Sequence, residues 1–285
     1  MRQNPCHFQN PYRSCHSLPS HFPQTFRLSI LKDVVLYEFP LNERIRVFMR
    51  LEQLFQQTDH FLQGASVWDS RAAISSLLEI LTIFSRNDLK SEILKELDRH
   101  ANVLNRMAHH QKIDSTKLDS FLEKIGRISD ELYSTSGKIG HTLMDSDLCK
   151  SISQRNSIPG GTCVFDLPSY HFWLQQSEAQ RRGDLKHWIQ PFEIIRESID
   201  MLLSFIRQSA TPTEELAVAG FFQKTLDHSL PYQLLRVAVD RNALYFAEIS
   251  GGKHRFTIRF MKPNAHDRPV QTAEDVGFLL TSSIL

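Results

Sequence analysis

The sequence predicts an α+β protein: an N-terminal α-helical bundle domain, a C-terminal antiparallel β-domain, and a late long helix that packs back on the bundle. Three observations lead there. Four consecutive segments between residues 42 and 133 repeat their apolar residues at the spacing of a helix face, with short links between them. A further helical stretch, residues 178–209, follows a Pro-Gly-Gly turn. After Pro212 the pattern alternates, as strands bounded by turn residues do.

Taken in order, residues 34–41 read as a short extended segment ended by Pro40. Asn42 is a good N-cap for the first helix, with Glu43 in the first turn where the helix dipole favours an acid. That helix turns Ile45, Phe48, Met49, Leu51, Leu54 and Phe55 inward and sets Arg46 and Arg50 on another face. A second helix fits residues 66–85, with Ala72, Ile74, Leu77, Leu78, Leu81 and Phe84 among its apolar positions. A third fits 88–109, where Glu92 and Glu96 alternate with Lys95 and Arg99 in the pattern of a solvated surface. It ends at His109-His110, read as a solvated pair near the last carbonyls. A fourth runs from Asp114, another N-cap, to Tyr133. Residues 157–168 read as a turn followed by a short strand that buries Cys163. The later strands are 216–226, 234–239, 244–249 and 254–261, with Asp240-Arg241-Asn242 and Gly251-Gly252 as hairpin turns. The resulting division is an extension over 1–33, a helical domain over 34–156 plus 178–209, and a β-domain over 157–177 plus 210–285.

Composition narrows the function. The chain has 285 residues, 33 Lys and Arg against 32 Asp and Glu, and 41% hydrophobic residues. That is ample for a core without disulfides or structural metal. The charge balance argues against a globally basic nucleic-acid binder and against an acidic disordered chain. No apolar run reaches the length of a membrane span. Four cysteines, Cys6, Cys15, Cys149 and Cys163, make no disulfide framework. Cys6-His7 and Cys15-His16 match no usual zinc spacing. Residues 1–32 hold no Asp or Glu and four prolines, a weakly basic arm that reads as disordered.

Chemical motifs are sparse. Neither Gly160-Gly161 nor Gly251-Gly252-Lys253 fits a phosphate-binding loop, and no zinc-hydrolase or nucleophile-elbow pattern occurs. A hydrolase site built from Cys163, Asp166 and His171 is a weak third reading. The sharpest feature is the acid-free run 250–266, which contains Lys253, Arg255, Arg259 and Lys262. Strand alternation puts Lys253, Arg255, Thr257 and Arg259 on one side and His254, Phe256, Ile258 and Phe260 on the other. Arg255 and Arg259 then stand roughly 13 Å apart along a flat face. Such a stripe protects an edge strand against aggregation. It equally suits a carboxylate-bearing peptide, because the guanidinium fork matches a carboxylate bidentately. A nucleic-acid-binding module using Lys253, Arg255 and Arg259 is the alternative. It is disfavoured because alternation turns Phe256 and Phe260 away from the arginines.

Three blocks carry a resemblance: LYEFPLNERIRVFMRLE at 36–52, SIPGGTCVFDLPSYHFWL at 157–174 and ISGGKHRFTIRFM at 249–261. With LKELDRH at 94–100 and IRQSA at 206–210, they resemble the ZapD family of bacterial cell division proteins, in order from about residue 34 onward. Family members typically begin just before the first block, which makes residues 1–30 an expected upstream-start artefact. The resemblance implies a cytosolic, non-catalytic dimer with an α-helical and a β-domain, without a cofactor, metal or membrane insertion. It implies binding to the C-terminal tail of the tubulin-like GTPase FtsZ and bundling of its filaments at the mid-cell division ring. Carried onto this sequence, the tail-binding residues are Arg255, Arg259 and Lys253 in the third block, His171 in the second and Arg46 in the first. One departure is local: ahead of Ser157 the family tends to be basic, whereas this chain has Asp145 and Asp147 beside Lys150 and Arg155.

Overall fold

The computed structural model describes residues 33–284 except 87, 109–114, 136 and 138. The sequence expectations for the 1–32 arm with its cysteines, for His109-His110 and for the Asp114 cap lie outside these residues. The described chain divides into two units: the β-unit holds the segment up to Leu41 and residues 210–284, and the helical unit holds 42–209.

In the helical unit the four leading helices form where their periodicity puts them: α1 Glu43–Gln63, α2 Val67–Arg86, α3 Leu89–Ala108 and α4 Ser115–Ser134. Asn42 caps α1, its side-chain oxygen accepting from the Ile45 N–H at 2.9 Å. Ser66 and Asp69 close the start of α2 reciprocally: the Ser66 hydroxyl accepts from the Asp69 N–H at 3.0 Å, and the Asp69 carboxylate accepts from the Ser66 N–H at 3.0 Å. Short helices α5 His141–Met144, α6 Asp147–Arg155 and α7 Pro168–Leu174 follow. The predicted 178–209 helix is two, α8 Glu178–Ile189 and α9 Glu193–Gln208, joined by a 3₁₀ turn at Gln190–Phe192. Pro191 lacks the N–H that a continuous helix would need, which accounts for the break. As expected, α9 packs back on the bundle. Phe205 meets His100 of α3 and Phe121 of α4 edge-on, and Arg207 forks onto Glu52 of α1 at 2.5 and 2.7 Å.

One segment corrects the sequence reading. No strand forms within 157–168. The backbone instead makes successive turns, with N–H donors of Ile158, Gly161, Cys163 and Asp166 each reaching the carbonyl three residues back. Residues 157–177 therefore belong with the helices. Tyr170, Trp173 and Leu174 of α7 bury against Ala73, Ile74 and Leu78 of α2. A β-branched and aromatic run makes a strand only if a neighbouring strand satisfies its backbone, and here none does. Cys163 is accordingly exposed, while Cys149 is buried.

The β-unit is a sandwich of two antiparallel sheets. The first runs β1-β4-β8-β2, with β1 Val34–Pro40, β2 Thr213–Ala217, β4 Tyr232–Asp240 and β8 Val276–Ile284. The second runs β3-β6-β5, with β3 Phe221–Thr225, β5 Phe246–Gly251 and β6 Arg255–Lys262; the two-residue β7 Val270–Gln271 also pairs with β6. Their inner faces share one core, in which Phe278 of the first sheet meets Phe222 and Phe260 of the second at 5.2 Å between ring centres. The leading segment 34–41 is thus a strand of this unit, registered from Val34 opposite Asp240 to Pro40 opposite Leu234. The predicted strand 216–226 is two, turning at residues 218–220 from one sheet to the other. Asp240-Arg241-Asn242 makes no hairpin, because β4 and β5 lie in different sheets. Gly251-Gly252 does lie at a hairpin, between β5 and β6.

Candidate binding site

Strand β6 is the middle strand of its sheet, and its alternation is as the sequence predicts. Phe256, Ile258 and Phe260 are 1%, 0% and 0% exposed, whereas Arg255 and Arg259 face out. Partner strands complete the outer face: Arg255 lies opposite Thr225, Thr257 between Gln223 and Ser250, and Arg259 between Phe221 and Glu248. Among the described residues neither arginine makes an ion pair. Burial of Phe256 and Phe260 in the sandwich leaves the aromatics of β6 unable to stack on bases, the same objection that alternation raised to the nucleic-acid alternative.

The structure changes the membership of the stripe. Lys253 and His254 are not strand residues. They form the tip of the β5–β6 turn, closed by the Gly252 N–H donating to the Arg255 carbonyl at 3.0 Å. Lys253 remains exposed beside Arg255, and His254 is exposed instead of lying on the core face. Lys262 is held by Glu274 at 2.7 Å. Glu248, directly across from Arg259, brings a carboxylate to a face that is acid-free along the chain. Strand pairing brings Glu248 to the arginine face and a loop return brings Glu274 to Lys262, and sequence distance reveals neither.

His171 and Arg46 belong to the helical unit. His171 lies on α7, half-buried, beside the exposed Phe172. The loop leading to α7 is held at both ends. Arg155 pairs with Asp166 at 3.0 Å, and Arg71 donates to the Thr162 hydroxyl at 3.2 Å while lying over the rings of Trp68 and Tyr170. Burial pushes the Tyr170 phenol up to about 12. A side chain on Gly161 would meet the Arg155 carbonyl at 2.6 Å, so the turn closes only with glycine. Asp166, engaged by Arg155, is not poised as a base for Cys163. Arg46 sits on α1 with its guanidinium on Glu43 at 2.6 Å, an exposed pair of the kind that contributes little to stability. Arg255, Arg259 and Lys253 therefore share one surface, and His171 and Arg46 stand on separate helices of the other unit.

A helical unit and a β-sandwich whose central strand turns two arginines outward, without an ion pair among the described residues, define an α+β protein with a locally basic sheet face. The comparisons with known proteins give its family. The family model described as ZapD, cell division protein, matches residues 49–259. A protein named Cell division protein ZapD from Methylococcus capsulatus is 51% identical over 255 residues, which is 90% of this chain and all of that relative. Relatives of the same name from Azoarcus sp. and Ralstonia pickettii are 39% and 37% identical over 248 residues, 87% of this chain and 98% of each of theirs. The chain belongs to the ZapD family of cell division proteins. These relatives are named for cell division and not for a reaction. Among the described residues no helix is long and apolar enough to cross a membrane.

Proposed function

We propose that this chain is a non-catalytic, cytoplasmic cell division factor that binds the C-terminal tail of FtsZ and, as a homodimer, cross-links FtsZ filaments into bundles at the division ring. The observation that carries the reading is the pair Arg255 and Arg259, exposed on a rigid central strand with no ion-pair partner among the described residues. A sheet fixes the backbone under the two arginines, so binding orders their side chains and the flexible acidic tail but no further protein backbone. Each guanidinium takes a carboxylate bidentately. Lys253 extends the surface at the turn. His171 and Arg46 join the reading through the family resemblance, Arg46 by exchanging Glu43 for a tail carboxylate. Bundling follows from bivalency: a two-fold dimer offers two tail sites, and weak sites gain avidity from many tails along a filament.

Co-sedimentation with FtsZ polymers tests this. Wild-type protein is expected to pellet with full-length FtsZ and to stay in the supernatant with tail-truncated FtsZ. The double variant Arg255→Glu/Arg259→Glu, which alters exposed and unpartnered side chains, is expected to keep its circular-dichroism melt and lose co-pelleting. Undiminished pelleting of that variant would overturn the assignment.

A further inference from the structure

At the Lys253 end of the arginine face two histidines meet. His254, at the β5–β6 turn, and His228, on the β3–β4 connection, pack edge to face with ring centres 4.4 Å apart. Their Nδ1 atoms are 2.7 Å apart. The backbone fixes the approach, since the Leu226 N–H donates to the His254 carbonyl at 2.8 Å. Both residues are exposed.

A contact of that length between two ring nitrogens requires one proton at the contact: one Nδ1–H donates and the other Nδ1 accepts through its lone pair. The proton count of the pair therefore controls its geometry. In the neutral pair the donor ring has a free Nε2. The first added proton goes there, making the donor an imidazolium and strengthening the hydrogen bond it gives. A second proton has to take the accepting Nδ1. It sets two N–H groups and two positive charges face to face, and the contact opens.

The charged groups on the surrounding segments act in both directions: Lys253 and Arg255 draw an anion to the turn but oppose the added proton, while the Asp227 carboxylate favours it. Lys253 and Arg255 flank His254 in the chain. Lys224, on β3, is held by Glu215 of β2 at 2.9 Å. Asp227, next to His228, is turned to the N–H and hydroxyl of Ser229 at 2.9 and 2.7 Å, and these bonds hold its carboxyl below the usual range.

We propose that the His228–His254 pair is a proton-responsive extension of the Arg255/Arg259 surface, adding a positive charge at the turn as pH falls and tightening the hold on an acidic peptide. The inference rests on the tail-binding reading above and adds its regulation.

Two measurements test it, on wild type and on His228→Ala, His254→Ala and the double variant. Imidazole NMR titration of the protein alone is expected to show the two rings protonating in two separated steps. In each single variant the separation into two steps is expected to vanish. Titrations of His254 that are the same with and without His228 would overturn the pair. Fluorescence anisotropy with a labelled FtsZ-tail peptide at low salt is expected to show affinity roughly two- to five-fold higher at about pH 6 than at about pH 8. Peptide carboxylates stay ionised over that range. The double variant is expected to lose this gain. A pH response of equal size in the double variant would overturn the role of the pair alone. No peptide binding at either pH, with the two-step titration intact, would overturn the tail reading and this role with it.

Discussion

Glu96 and His100 lie one turn apart on α3, and both side chains are buried. Glu96 is the hub of an ion-pair cluster, reached by Arg44 of α1 and by Arg99 at 3.1 Å. The sequence places it on a solvated surface because its neighbours in the chain are charged. In the structure two arginines, each about a third exposed, bridge it to solvent. His100 bonds through Nδ1 to the Glu96 carbonyl at 2.7 Å and faces Phe205. Burial pulls the His100 imidazole down from 6.5 to about 4, with Arg99 and Arg44 adding to the effect. The consequence for stability has a definite sign. Above pH 6.5 the ring is neutral folded and unfolded. Between 6.5 and about 4 the unfolded chain takes the proton and the folded chain refuses it. Stability therefore falls as pH drops through that window, by about 1.4 kcal/mol per pH unit from this residue. Denaturant melts of wild type and His100→Leu from neutral pH to about pH 4 are expected to converge on the acid side, the variant losing that part of the slope.

The β2–β3 turn shows what an element requires beyond its pattern. Val218 and Phe221 bridge across two residues in the left-handed region, Ala219 at φ 47° and Gly220 at φ 70°. Such a turn matches the twist of paired strands and carries the chain from one sheet to the other. Alanine occupies its first corner at a cost, fixed by the Asp275 carboxylate accepting from its N–H at 2.8 Å and by Gln271 donating to its carbonyl at 2.8 Å. Gly220 has no such latitude, since a side chain there would come within 2.6 Å of the Thr272 carbonyl. Gly220→Ala is expected to lower stability by about 1–3 kcal/mol, and Ala219→Gly to be neutral or slightly stabilising, as read by thermal melts. The turn also sets the lateral register of Phe221 against Arg259, so the first variant is expected to loosen one wall of the arginine face.

At the scale of the whole molecule, the near balance of 33 basic and 32 acidic residues makes long-range steering weak and leaves binding to local contacts. Exposed guanidinium–carboxylate contacts are screened within about 8–10 Å at physiological salt. FtsZ bundling, measured by light scattering, is therefore expected to decline steadily between about 0.05 and about 0.3 M salt. An undiminished signal would point to an apolar contact as the source of bundling.

The sequence by itself determined the elements that depend on neighbours along the chain. These were the four leading helices with the Asn42 cap, the helical character of the late stretch and the in–out alternation of β6. Each follows from periodicity or from a hydrogen bond spanning three residues, so nothing distant is needed to specify it. Tertiary structure alone decided what depends on partners far away in sequence. The run at 157–168 found no strand to pair with and became turns, while Val34–Pro40 joined β4 some 200 residues later. Val276–Leu280, buried throughout, became an inner strand that alternation could not reveal. Glu248 and Glu274 came beside Arg259 and Lys262 only through strand pairing and loop return, and His228 met His254 the same way. Local chain physics placed the two arginines on one face. Long-range pairing determined which charges on that face stayed free.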